Sequence, residues 1–291
     1  MSWVGTATSL TATSNADVVR LAARAQERDR YLSALLAPRV VRDDLIALAA
    51  FAGEIARIPA VVHEPMAGEV RLQWWRDALE AVGRGEKSGH PVADALGAAQ
   101  IRHRLPKGLL HGIIDAHTVG LYEEPLVDDA ALWSFLVKTE GAMFSLGLRV
   151  LGRSDPASQS AADAAGRAYG LARVLMDLPA LRSQRRTLLP ESRLRAAGLS
   201  LADVKAGSAD ARLRPVLRDL AEEARAQLVK ARPGWRRLTA AQRAALLPLA
   251  LVEPYLRALE RPGRDLLREA SDILPLRRVW RLWWASWSGS L

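Results

Sequence analysis

The chain has 291 residues, 49% of them hydrophobic and 25% charged, a balance that suits a globular protein with a sizeable core. It contains no cysteine, which excludes disulfides, thiolate metal sites and a cysteine nucleophile, and it has no apolar run long enough to span a bilayer. Lys and Arg outnumber Asp and Glu by 41 to 32, and the net charge of +9 favours an anionic partner: phosphate, a phospholipid surface or nucleic acid.

Residues 1–14 are rich in Ser and Thr, carry no Lys or Arg, and read as a flexible leader without a secretory signal. Beyond them the chain reads as helix throughout, because Ala, Leu and Arg dominate and strand-type alternation is missing. A first helix is expected from Ser14–Asp17 to about Leu36, ended by Pro38, and a second from about Arg42 to Ile58, stopped by Pro59. A third begins near Pro65, runs through Arg71-Leu-Gln-Trp-Trp-Arg-Asp to Val82, and ends at Gly83 and Gly85. Helices at about 92–104, 107–118, 129–151 and 157–178 precede a basic, proline-punctuated loop at 179–190. The last three are expected near 209–231, 240–259 and 274–287. With no repeat and no long linker, the pattern is a single all-α domain over residues 15–272, followed by a Trp/Arg-rich amphipathic helix within 273–291.

Common catalytic signatures are missing: there is no Gly-rich phosphate loop, no zinc-binding His pair and no nucleophile elbow. His111 and Asp115, four apart, read as a surface hydrogen bond rather than a metal pair. The doublets Asp43-Asp44 and Asp128-Asp129 read as helix starts, beside the positive end of the dipole.

The informative region is Phe51-Ala-Gly-Glu-Ile-Ala-Arg-Ile-Pro-Ala60 followed by Gly68-Glu-Val-Arg-Leu-Gln-Trp-Trp-Arg-Asp-Ala-Leu79, with Tyr31 and Leu35-Leu-Ala-Pro38 before it. These blocks resemble the squalene/phytoene synthase family, as do Gly166-x-Ala-x-Gly-Leu-Ala, Met176-Asp177-Leu-Pro and Arg186-Thr-Leu-Leu-Pro190. The resemblance spans roughly residues 20–200 and implies an isoprenoid-synthase-like helical bundle. Enzymes of that family ionise a prenyl diphosphate, and magnesium held by aspartates on two facing helices neutralises the leaving group. At the positions matching the first aspartate motif this chain has Ala56, Arg57 and Ala60. In the second motif Asp177 is kept, but Leu181 stands at its partner position, Arg173 and Gly170 at the upstream amides, and Leu188 at the tyrosine. One carboxylate cannot hold a magnesium cluster, and Arg57 is expected to repel the ions. No metal, cofactor or catalytic residue is therefore expected; magnesium would enter only with a surviving transferase activity.

Together with Thr139-Glu-Gly-Ala-Met-Phe-Ser-Leu-Gly-Leu-Arg-Val-Leu-Gly152, the chain is similar to a non-catalytic branch of the family that includes a mitochondrial respiratory complex I assembly factor. That resemblance implies a pseudoenzyme that assists assembly of a membrane complex and has a protein partner there. It implies a cytoplasmic place, peripheral on the inner membrane (the matrix side in a eukaryote). The alternative is a prenyl-diphosphate-binding transferase of isoprenoid biosynthesis, in which arginines meet the diphosphate directly. Glu54, Arg57, Arg71, Gln73, Trp75, Arg76, Arg173, Asp177, Arg185 and Arg186 make up the candidate ligand or partner pocket. Against it stands the reading that these residues form a buried ion-pair network holding helices together where a metal would sit.

The tail places Trp280, Trp283, Trp284 and Trp287 at helical spacing, with Arg277, Arg278 and Arg281 beside them. Such a stripe suits the headgroup level of an anionic bilayer or a partner surface, and equally a helix that closes the core with its aromatic face. Elsewhere the arginines are spread along the chain rather than gathered on one module, so no nucleic-acid partner is expected.

Overall fold

A computed structural model describes residues 14–62, 64–122, 125–207, 211–261, 267–269 and 272–291, and every regular element among them is helical. The leader expected over residues 1–14 lies outside the described residues except for Ser14. Ser14 caps α1 (Asn15–Gln26) by accepting from the Asp17 amide at 3.2 Å, which satisfies one of the orphan donors of the first turn. The helix expected to reach Leu36 is broken at Glu27 (φ −128°, ψ 56°), and α2 (Arg28–Leu35) follows. That break carries the Glu27 carboxylate into the interior, where Arg30 and Arg173 meet it.

α3 (Arg39–Val61) is longer than expected at both ends and keeps Pro59 inside its last turn. Proline costs least there, because the ladder is already ending and little helix remains to be kinked. α4 (Pro65–Gly83) and α5 (Pro91–His103) start on proline, whose missing N–H is no loss at a first helical position, and α6 (Lys107–Ala116) follows. A 3₁₀ turn, His117–Leu121, leads towards α7 (Asp129–Leu136), which Asp128 caps through the Ala131 amide at 2.9 Å.

The single helix expected over 129–151 is α7, a π-helical turn (Val137–Gly141) and α8 (Ala142–Val150). α9 (Pro156–Met176) is capped by Asp155 and runs into α10 (Leu178–Ser183), which occupies the first half of the expected loop. The short helices α11 (Glu191–Ala196) and α12 (Leu201–Ala206) were not legible in the periodicity. The chain closes with α13 (Leu213–Arg236), α14 (Ala240–Arg243), a 3₁₀ turn (Leu247–Leu251), α15 (Val252–Leu259) and α16 (Pro275–Ser288).

α9 is the axis of the bundle, packed against α13, α8, α15 and the π turn, while α3 packs on α1, α2, α5 and α8. Small residues make these approaches close. A Cβ on Gly166 would stand 2.3 Å from the backbone nitrogen of Gly141 in the π turn, and one on Gly234 of α13 would stand 2.2 Å from the Ala161 Cβ. No helix among the described residues is long and apolar enough to cross a membrane.

Candidate functional site

α3 and α9 face each other across a cavity of about 250 Å³. α3 gives it Ala52, Ala56, Pro59 and Ala60; α9 gives Gly170, Arg173 and Val174. The charged lining comes from five places: Glu27 at the α1–α2 break, Arg30, Glu140 in the π turn, Arg173 with Asp177 at the end of α9, and Arg186 after α10. Three carboxylates and three guanidiniums thus line one cavity.

Arg30 lies between Glu27, 2.8 Å away, and Glu140, with its guanidinium over the rings of Phe144 and Tyr169 at 5.1 and 5.3 Å. Burial pushes the Arg30 pKa down, but Glu140 and Glu27 outweigh it and the net shift is upward, so the charge is kept. Arg173 reaches Glu27 at 3.3 Å and Asp177 at 3.5 Å, and Glu27 foremost raises its pKa. Burial drives Glu27 upward, yet Arg173 and Arg30 together hold it below its ordinary value. Behind this lattice Asp29 accepts from the hydroxyls of Tyr169 (2.8 Å) and Tyr255 (2.5 Å) and pairs with Arg278 of α16 at 2.9 Å. Burial first and Asp29 second raise both tyrosine pKa values, so the hydroxyls stay protonated donors.

His117 also lines the cavity; burial lowers its pKa against the pull of the Ile113 carbonyl, to which its Nδ1 donates at 2.8 Å. Arg186 donates to Gln184 at 3.4 Å, and burial alone lowers its pKa.

Of the pocket residues expected from sequence, the fold brings Arg173, Asp177 and Arg186 together. Arg185 is exposed and left-handed (φ 59°), outside the cavity lining. Arg57, expected to face the metal position, is 53% exposed and pairs with Glu54 at 3.3 Å, while Glu54 also accepts from Gln26 at 3.0 Å. Trp75 is a core residue, edge-on to Phe51, Trp74 and His90. Arg76 pairs with Asp115 at 2.6 Å, Gln73 donates to Asp77 at 2.8 Å, and Arg71 is exposed. These α4 residues form a separate outer face. His111 does not bond Asp115; it lies 3.4 Å from Glu80. Nor does Asp44 start a helix: α3 begins at Arg39, and Asp44 is buried against Arg102 and His103.

The aromatic stripe of α16 does not close the core. The helix docks through Arg278, Leu282 and Ala285, while all four tryptophans stay exposed and Arg281 donates to the Ala250 carbonyl at 3.1 Å. Sequence reasoning missed Glu27, Arg30, Asp29 and Tyr255 altogether. Glu27 and Arg30 carried a faint signal, an acid and a base three apart.

The donor set does not fit magnesium. Ala56, Ala60, Gly170 and Leu181, which the resemblance matches to ligand positions of the family, line the cavity without a side-chain oxygen, and the three carboxylates present are each paired with arginine. Among the described residues no group of three or more His, Asp or Glu is disposed to hold a metal ion. At about 250 Å³ the cavity is also smaller than the roughly 300–1,000 Å³ of pockets that enclose drug-sized ligands.

A helical bundle with its cavity between two such helices is the isoprenoid-synthase fold. It superposes on a squalene synthase from Alicyclobacillus acidocaldarius with TM-score 0.74 at 20% identity, covering 86% of this chain and 94% of that one. A dehydrosqualene synthase solved with a ligand gives TM-score 0.76 at 16% identity, covering 94% and 96%. The family model for squalene/phytoene synthase matches residues 23–284, and the chain belongs to that family. Within it, the chain is 30% identical over 264 residues to the Bos taurus protein named NADH dehydrogenase (ubiquinone) complex I, assembly factor 6, covering 89% of this chain and 79% of the bovine one.

Proposed function

We propose that this protein is a non-catalytic member of the squalene/phytoene synthase family that assists assembly of a membrane complex, respiratory complex I, and does so without magnesium or another cofactor. The observation that carries the reading is the lattice Glu140–Arg30–Glu27–Arg173–Asp177, which lines the cavity between α3 and α9 and pairs its carboxylates with arginines. Guanidiniums take the role of the cations, and they are covalent parts of the chain. The similarity to proteins named complex I assembly factor 6 supports complex I as the membrane complex concerned. The protein acts beside the membrane that carries the complex, on its cytoplasmic side in a bacterium or its matrix side in a mitochondrion.

Deleting the gene in its own organism tests this directly. Native gels stained for NADH dehydrogenase activity are expected to lose the assembled complex, and the wild-type gene is expected to restore it. Unchanged complex I in the deletion strain would reject the reading.

A further inference from the structure

α16 presents two opposite faces. Arg278, Leu282 and Ala285 dock on the bundle, whereas Trp280 and Trp287 are 60% and 71% exposed and Trp283 and Trp284 are exposed beside them. The indoles stack on one another instead of on the core, Trp280 with Trp284 and Trp283 with Trp287, at 6.2 Å between centroids in each pair. The patch continues past the helix. Leu35 at the end of α2 and Leu36 just after it meet Leu276, Val279 and Trp280 around an open groove of about 590 Å³. Contiguous exposed apolar surface of this kind marks a binding face.

Charge selects what binds. α16 contains no Asp or Glu, and Arg277 is exposed at the groove. Arg39 is exposed just beyond Leu36, and Arg257 and Arg277 add to the downward push that burial gives the Arg281 pKa, opposed by Glu253, which pairs with Arg257 at 2.7 Å. A protein interface tends to bury its aromatics in pockets and to keep charge out of its centre. Indoles in an open stripe edged by guanidiniums match the interfacial zone of an anionic bilayer, where the rings sit at headgroup depth and the cations meet phosphate.

We propose that the joined face of α16 and α2 docks on an anionic phospholipid surface, with α16 lying in the plane of the interface. The proposal deepens the reading of a protein that acts beside a membrane complex and rests on that reading for its setting, but the assay below contains no complex I, so either can fail alone.

The test is flotation of the full chain with vesicles of phosphatidylcholine, with and without phosphatidylglycerol. Binding is expected only with the anionic lipid. Replacing Trp280→Ser and Trp287→Ser together is expected to lower the bound fraction about tenfold. Arg39→Glu with Arg277→Glu is expected to abolish the gain from phosphatidylglycerol. Both variants alter exposed side chains, and an unchanged thermal unfolding curve confirms that they fold. Equal binding to both vesicles, no binding to either, or binding that ignores the tryptophan replacements would overturn the proposal. So would a lipid-free dimer that Trp280→Ser dissolves, which would give the face to a second copy of the chain.

Discussion

Removing the Arg30 guanidinium would leave Glu27 and Glu140 facing a cavity with the main counter-charge between them gone. Arg30 is 9% exposed and spans both carboxylates, so Arg30→Met should cost about 3–5 kcal/mol, the range for breaking a buried pair from one side. Urea unfolding of the two proteins measures it. Glu27 sets the acid limit of the same lattice. Its folded pKa lies below its ordinary 4.5, so the stability it contributes is present above that value and is lost as pH falls through the folded pKa. Between about pH 6 and pH 3 the urea midpoint of the wild type should therefore fall more steeply than that of Glu27→Gln. At this scale the sequence was only partly readable. Asp177, Arg173 and Arg186 were found because they sit on recognisable motif positions. Glu27 and Arg173 are 146 residues apart, and nothing local announces such a pairing.

The π turn and the α1–α2 break are the two elements that shape the cavity, and both interrupt helices that periodicity alone reads as continuous. The π turn lies against α9 at Gly166, where any side chain would run into backbone rather than into a movable neighbour. Gly166→Ala should consequently destabilise the fold by about 1–3 kcal/mol, the usual cost of overpacking a core. Gly112→Ala in α6 has open space around its Cβ and should be neutral or raise stability by up to about 1 kcal/mol through helix propensity. Thermal melts of the pair separate packing from propensity. Where a cap or proline marks a start, as Ser14 does for α1 and Pro65 for α4, the helix was legible, whereas α10, α11 and α12 are too short for their periodicity to show and the helix expected over 240–259 is split by a 3₁₀ turn. Pro59 misled, since a proline in a last turn does not stop a helix. In α16 the aromatic spacing was legible but its direction was not, because the docking stripe of Arg278, Leu282 and Ala285 is the less apolar face.

For the molecule as a whole, a fold that enzymes use to ionise prenyl diphosphates is kept while the charges inside it are rearranged. The family's requirement is several carboxylates left free for divalent ions; here each cavity carboxylate is neutralised from within the chain, and alanine, glycine and leucine fill the remaining positions. The lost aspartates were visible in the sequence, but their replacement by an internal lattice was not, because Arg57, the cation at the motif position, points away from the cavity. Release of pyrophosphate from farnesyl diphosphate by the purified full chain, with and without magnesium, probes this most directly. The lattice predicts no release above the protein-free blank in either condition. Sustained magnesium-dependent release would mean that the cavity still gathers metal and substrate, and the account would be wrong.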